Sequence, residues 1–234
     1  MNDNLQTFFC TDRHDLERKL ATSIARRLRT GRTTHRSIAL ALSGGETPAN
    51  LYRRLAREDL PWHDVFVTLV DERCVSADHP DSNEAMVRRN LLIGDAREAR
   101  FSGLIDRTDP SNLKPVASPW PDGTTEEILD VVVLGMGRDG HTASWIPDSP
   151  QLHQALEPPP GRSVVRIDSP SAEHPRVTLT RPAVLRSRLI ILYITGKPKK
   201  AVLARALESG PVSELPIRAV LHQPEIPVEV YWAP

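Results

Sequence analysis

The sequence predicts an α/β protein: a three-layer, Rossmann-like fold with a mainly parallel sheet flanked by helices. Short, continuously apolar runs at residues 37–42, 65–70, 130–134 and 189–194 read as strands buried on both faces. Segments with helical apolar spacing alternate with them, the pattern of β-α-β units. Several runs end in glycines or charged residues. Such ends deliver chain to the carboxyl rim of a sheet, where open α/β sheets bind ligands.

The first helix spans residues 12–30, where Leu16, Leu20, Ile24 and Leu28 form one stripe and Gly31 is expected to stop it. After the strand at 37–42, Thr47 is expected as an N-cap with Pro48 at the first helical position. Leu51, Tyr52, Leu55 and Ala56 supply that helix's apolar face. The strand at 65–70 ends in Asp71-Glu72-Arg73, and Asp81 or Ser82 caps a helix toward Leu92. Residues 106–126 are polar and rich in proline, so they predict an exposed connection. Further strands are expected near 163–167, 177–180, 189–194 and 228–232, with a helix over 199–208 stopped by Gly210-Pro211. No repeat or linker divides the chain, and one domain over residues 1–234 is expected.

Composition removes several classes. Thirty Lys and Arg balance thirty Asp and Glu, so no net field points to nucleic acid or an anionic membrane. The apolar runs are too short to span a bilayer, and a mean hydropathy of −0.34 suits a soluble protein. The start, Met1-Asn-Asp-Asn-Leu-Gln, lacks a signal peptide's basic and apolar regions. Cys10 and Cys74 share no CxxC or Cys/His spacing and read as free thiols in a reducing cytoplasm.

Gly135-x-Gly137-x-x-Gly140 spells the dinucleotide fingerprint after a strand. The fingerprint needs a helix opening at its third glycine, and Pro147 and Pro150 cut that helix short. No nucleotide is expected. The same loop carries Asp139 and His141, a pair suited to proton transfer near neutral pH. Ser43-Gly44-Gly45-Glu46-Thr47-Pro48 reads either as an ordinary strand-to-helix turn or as an anion-binding loop. Asp71 and Glu72 either cap and pair locally or face the rim. Arg73, Arg176 and Lys199 read singly as surface cations and together as phosphate holders. Histidines 14, 35, 63, 79, 153, 174 and 222 show no paired-ligand spacing, and no metal or cofactor is expected. There is no Walker loop and no GxSxG elbow. His141 remains as a base acting on water, oriented by Asp139; a buried structural histidine in a tight loop is the competing reading.

Five blocks, in order, resemble the 6-phosphogluconolactonase family. They are Leu42-Ser-Gly-Gly-Glu-Thr-Pro48, Asp71-Glu-Arg-Cys-Val75 with Ser82-Asn83, the stretch from Gly135 to Ser144, Arg176-Val-Thr-Leu-Thr180, and Thr195-Gly196-x-x-Lys199. Glu46 stands where the family more often has a small or polar residue, and Ser76 where it usually has proline. The resemblance implies hydrolysis of 6-phospho-D-glucono-1,5-lactone, with His141 as base and Arg73, Arg176 and Lys199 holding substrate near Ser43, Gly44, Gly45 and Asp71. It also implies a cytoplasmic enzyme, monomer or homodimer, acting on a small phosphosugar lactone. Related deaminases carry Asn-Glu-Pro where this chain has Trp145-Ile146-Pro147, so the ring-opening acid is replaced by an aliphatic. A sugar-phosphate deaminase or isomerase, and a non-catalytic sugar-phosphate sensor, are the competing readings.

Overall fold

The computed structural model describes residues 4–34, 38–109, 111–120 and 128–234. In chain order the elements are β1 (Leu5–Phe9), α1 (Arg13–Thr34), β2 (Ile38–Leu42), α2 (Ala49–Leu55), β3 (Val65–Leu69), β4 (Asp71–Arg73) and α3 (Asn83–Asn90). Then come β5 (Arg100–Phe101), β6 (Ile105–Asp106), β7 (Lys114–Pro115), β8 (Val131–Leu134), α4 (Leu152–Leu156), β9 (Val164–Ile167) and β10 (Arg176–Leu179). The last are α5 (Arg181–Leu185), β11 (Ile190–Thr195), α6 (Lys197–Leu207), α7 (Arg218–Leu221) and β12 (Val228–Ala233).

Seven strands form one sheet in the order β1-β12-β11-β8-β2-β3-β5, every pair parallel. Helices flank it, α1 against β2, β8 and β12, and α6 against β11. Residues of β2, β3 and β8 are buried throughout, which is why these runs are continuously apolar rather than alternating. From β2 the chain moves outward to β3 and β5, then returns to β8 and builds β11 and β12 on the other side. Loops leaving β2 and β8 therefore diverge at a topological switch point, and a crevice opens between their carboxyl ends.

Leu16, Leu20, Ile24 and Leu28 are fully buried on the inner face of α1, as their spacing predicts. Asp12 Oδ1 accepts from the Asp15 amide at 2.8 Å at the helix's start. Gly31 does not stop the helix, which continues to Thr34. A Cβ at Gly31 would lie 2.8 Å from both Asp130 Oδ1 and Ile38 Cγ2, so this glycine serves close packing rather than termination.

Several expectations need correction. Thr47 caps nothing: α2 starts at Ala49 without a side-chain cap, and the Thr47 carbonyl accepts from Arg13 Nη2 at 2.6 Å. The segments at 163–167 and 177–180 do not join the parallel sheet. They become β9 and β10 of a separate antiparallel sheet, β4-β10-β9, because their connection holds no crossover helix. The connection at 106–126 is not wholly exposed: Trp120 packs on Phe66 with ring centroids 5.5 Å apart. Pro110 and residues 121–126 of it lie outside the described residues, as does Ser37 of the second strand. β1 was not anticipated. It is an edge strand whose residues are mostly exposed, so it carries no apolar pattern to read. Among the described residues no helix is long and apolar enough to cross a membrane.

Candidate active site

Ser43, Gly44, Gly45, Asp71, Arg73, His141, Arg176 and Lys199 all line one cleft of ≈ 240 Å³ at the carboxyl rim. Asp139 stands directly behind His141. Each reaches the cleft from a different element: Ser43 just after β2, Asp71 and Arg73 on β4, the 135–141 loop after β8, Arg176 on β10, and Lys199 in the first turn of α6, which follows β11.

The glycine loop after β8 brings Asp139 and His141 together. Gly137 N donates to the His141 carbonyl at 2.8 Å, and Gly140 N to the Gly137 carbonyl at 3.2 Å, folding 137–141 into a tight turn. No helix follows, so the dinucleotide fingerprint is a coincidence of spacing. The turn brings Asp139 Oδ1 to 2.7 Å from His141 Nδ1, and the His141 amide donates to the same oxygen at 3.2 Å. Nδ1 thereby carries the proton toward the carboxylate, leaving Nε2 as the free basic nitrogen. Burial alone would raise the Asp139 carboxyl. The hydrogen bond and charge of His141 outweigh that and hold it below its ordinary value.

Beyond His141 the loop is anchored in the core. Thr142 Oγ1 donates to the Gly135 carbonyl at 2.8 Å, and the fully buried Trp145 donates from Nε1 to the Leu179 carbonyl at 2.9 Å. Between them Ala143 takes a left-handed backbone, φ 47°, a conformation that costs an L-residue on the order of 1–2 kcal/mol. Ser144 Oγ donates to Asp71 Oδ2 at 2.6 Å, tying this loop to β4.

The Asp71-Glu72-Arg73 triplet divides its work by strand alternation. Asp71 accepts from Ser144 and, through Oδ1, from Asn83 Nδ2 at 3.2 Å. Glu72 points the other way and is buried. Its two oxygens accept from the amides of Arg73, Asn83 and Glu84 and from Ser82 Oγ, all within 3.0 Å, so it caps α3 together with Ser82. Burial pushes the Glu72 carboxyl above its ordinary value despite these donors. The capping reading is therefore right for Glu72, and the rim reading for Asp71 and Arg73.

The cations are only partly satisfied. Arg73 and Arg176 face each other as register partners of β4 and β10. Arg73 Nη1 donates to the Asp81 carbonyl at 2.8 Å, and Arg176 Nη1 lies 3.8 Å from Asp71 Oδ2. Among the described residues, the buried Nε of each arginine has no acceptor. Burial pulls the Arg176 guanidinium below its ordinary value, and Asp71 restores it only in part. Burial, with repulsion from Arg138, does the same to the Lys199 ammonium. Among the described residues, nothing accepts from the amides of Gly44 and Gly45. The cleft that His141 lines thus also holds a set of donors short of an acceptor, which an oxyanion-rich ligand would complete.

Residues 11–232 match the model of a family described as glucosamine-6-phosphate isomerases/6-phosphogluconolactonase. The chain belongs to this family. A 6-phosphogluconolactonase of Rhizobium meliloti is 40% identical over 219 residues, covering 94% of each chain. One from Pseudomonas putida is 39% identical over 224 residues, 95% of this chain and 90% of that one. The crystal structure of a 6-phosphogluconolactonase from Shewanella baltica superimposes with a TM-score of 0.89 at 38% identity, covering 100% of both chains.

Membership of the glucosamine-6-phosphate isomerase/6-phosphogluconolactonase family agrees with the five sequence blocks. The residues that motif reading passed over are the supports. Asn83 donates to Asp71 and packs against Gly44 where a Cβ would stand, Ser144 bridges Asp71 to the histidine loop, and Tyr193 lines the cleft while donating to the buried Glu17 at 3.0 Å. Asn83 and Ser144 stand within the blocks that resemble the family, so position in a motif is a usable signal. Tyr193 sits in an apolar strand and gave none.

Proposed function

We propose that this chain hydrolyses 6-phospho-D-glucono-1,5-lactone to 6-phospho-D-gluconate, the second step of the oxidative pentose phosphate pathway. The observation that carries the reading is the Asp139–His141 pair, 2.7 Å apart, facing donors without acceptors across one small cleft. His141 Nε2 takes a proton from water, and the resulting hydroxide adds to the lactone carbonyl at C1. Asp139 balances the imidazolium that forms. The carbonyl π electrons pass to oxygen, where loop amides and the Arg73 guanidinium stabilise the charge. As the tetrahedral intermediate collapses, the bond from C1 to the ring oxygen breaks, and His141 returns its proton to that oxygen. Ser43, Gly44, Gly45, Arg176 and Lys199 hold the phosphate. A lactone is already electrophilic, so one activated water suffices. The same reading takes residues 1–234 as one domain, working in the cytoplasm as a monomer or homodimer.

Deamination of an amino sugar phosphate needs an acid near the ring oxygen to open the ring. Ile146 is buried and aliphatic where the resemblance puts that acid in the deaminases, which favours the lactonase reading. A non-catalytic sensor would have no need of the oriented histidine. The test pairs freshly generated lactone, corrected for spontaneous hydrolysis, with glucosamine 6-phosphate and an ammonia readout. Rapid lactone hydrolysis without ammonia is expected. Ammonia without lactonase activity transfers the assignment to a deaminase, and neither activity transfers it to a sensor.

A further inference from the structure

Outside the cleft, the fold assembles a second cluster. His79 and Asp81 lie in the loop between β4 and α3, and His174 lies just before β10; all three are partly buried. Their donor atoms lie within 4.8 Å of one another. His174 Nε2 is 3.1 Å from Asp81 Oδ2, and His79 Nδ1 is 3.7 Å from the same oxygen. Tetrahedral zinc, with bonds of 2.0–2.1 Å, sets neighbouring ligand atoms about 3.3 Å apart. Two edges of that tetrahedron are thus already within a few tenths of an ångström of their required length.

We infer that His79, Asp81 and His174 bind a divalent transition metal of the zinc class. Two imidazoles and one carboxylate are a zinc donor set, whereas calcium and magnesium favour oxygen throughout. A fourth position stays open to water. His79 Nδ1 now accepts from the Asp81 amide at 3.1 Å, and the metal takes over that lone pair. The two imidazoles already meet edge to face, with centroids 5.5 Å apart, so binding needs rotation of rings rather than movement of chain.

The site is joined to the cleft without being part of it. Its residues are absent from the lining of the pocket that holds His141. Yet the Asp81 carbonyl accepts from Arg73, and His174 precedes Arg176 by two residues on the approach to β10. A bound metal therefore clamps together the mountings of both arginines. The facing Arg73 charge opposes a cation, so retention depends on the three ligands and not on the local field.

The test titrates zinc chloride calorimetrically into the chelator-stripped full chain, with cobalt(II) absorption reporting coordination geometry. Wild type should take up one zinc saturably, give the visible bands of low-coordinate cobalt, and melt at a higher temperature with zinc. His79→Gln or His174→Gln should weaken uptake on the order of 10–100-fold or more, with circular dichroism unchanged. Asp81→Asn, which keeps the backbone carbonyl for Arg73, gives a third route should either histidine variant fail to fold. His141→Gln should bind zinc as wild type does. Absence of saturable uptake, uptake unchanged in the three ligand variants, or uptake lost in His141→Gln would each overturn the inference. Because the readout is binding, lactonase activity can fail or succeed independently of it.

Discussion

Asp139 and His141 meet directly over Gly137. A Cβ on that glycine would lie 2.3 Å from both Asp139 Oδ1 and His141 Nδ1. The missing side chain is thus the space in which the two side chains meet. Gly137→Ala should leave the fold intact and separate the pair. Displacement of about 1 Å is expected to lower kcat roughly 10²-fold. Steady-state kinetics with circular dichroism checks this; near wild-type turnover would mean the pair has slack that the structure does not reveal.

His141→Gln should lower kcat by about 10²–10⁴-fold, the usual worth of a positioned base, with KM little changed. Asp139→Asn should fall between this and wild type, because the ring keeps a hydrogen-bonding neighbour but loses the charge that favours its protonated form. A variant at His141 with full turnover would remove it from the mechanism.

Lys199 predicts opposite effects on stability and binding. Its folded pKa is depressed, so in the folded state the ammonium is disfavoured and costs stability at neutral pH. That cost is full below the folded value, shrinks as pH rises past it, and is gone above the ordinary lysine value. Lys199→Met should therefore melt at a higher temperature than wild type near neutrality, with the gap closing at alkaline pH. The same variant should bind 6-phosphogluconate more weakly. Wild-type affinity should decline as pH rises through the depressed lysine value, and Lys199→Arg should flatten that decline. Thermal melts and calorimetry across pH measure both; a Met variant less stable than wild type at every pH would refute the burial cost.

Glu72 is a structural acid among functional neighbours. Four donors converge on its two oxygens. Glu72→Gln keeps shape and removes charge, yet its amide NH₂ must face one of those donors. A loss of about 1–3 kcal/mol is expected, visible as a lowered melting midpoint. Unchanged stability would show that the cap on α3 rests on Ser82 alone.

Much of this architecture is readable from the chain, for a physical reason. Strands buried on both faces must be apolar throughout, so β2, β3, β8 and β11 declare themselves, and the residues just after them fall at one rim. Of the residues nominated for the site, those after β2, β3, β8 and β11 lie at that rim for this cause, whereas Arg176 reaches the cleft on β10 of the antiparallel sheet. Long-range relations escaped. The antiparallel β9 and β10 look like members of the main sheet because a strand's apolar pattern does not reveal its partner. Gly31 resembles a terminator because the sequence does not show Asp130 and Ile38 pressed against it. His174 has no partner at short spacing, since Asp81 is 93 residues away. Spacing rules detect ligands on one element and miss those that tertiary structure gathers.

The pairing of Arg73 with Arg176 across β4 and β10 makes their common approach to the cleft depend on sheet register. Opposed residues on neighbouring antiparallel strands hold their Cβ atoms about 5 Å apart, and like charges there repel. Backbone hydrogen bonds thus fix the spacing of the two stems, while Asp81 and Asp71 hold the guanidinium groups at their ends. Slippage of one residue would turn one arginine to the opposite face and separate the pair outright. Drift here is thus expected to be abrupt: the ladder either turns both charges into the cleft or turns one of them away.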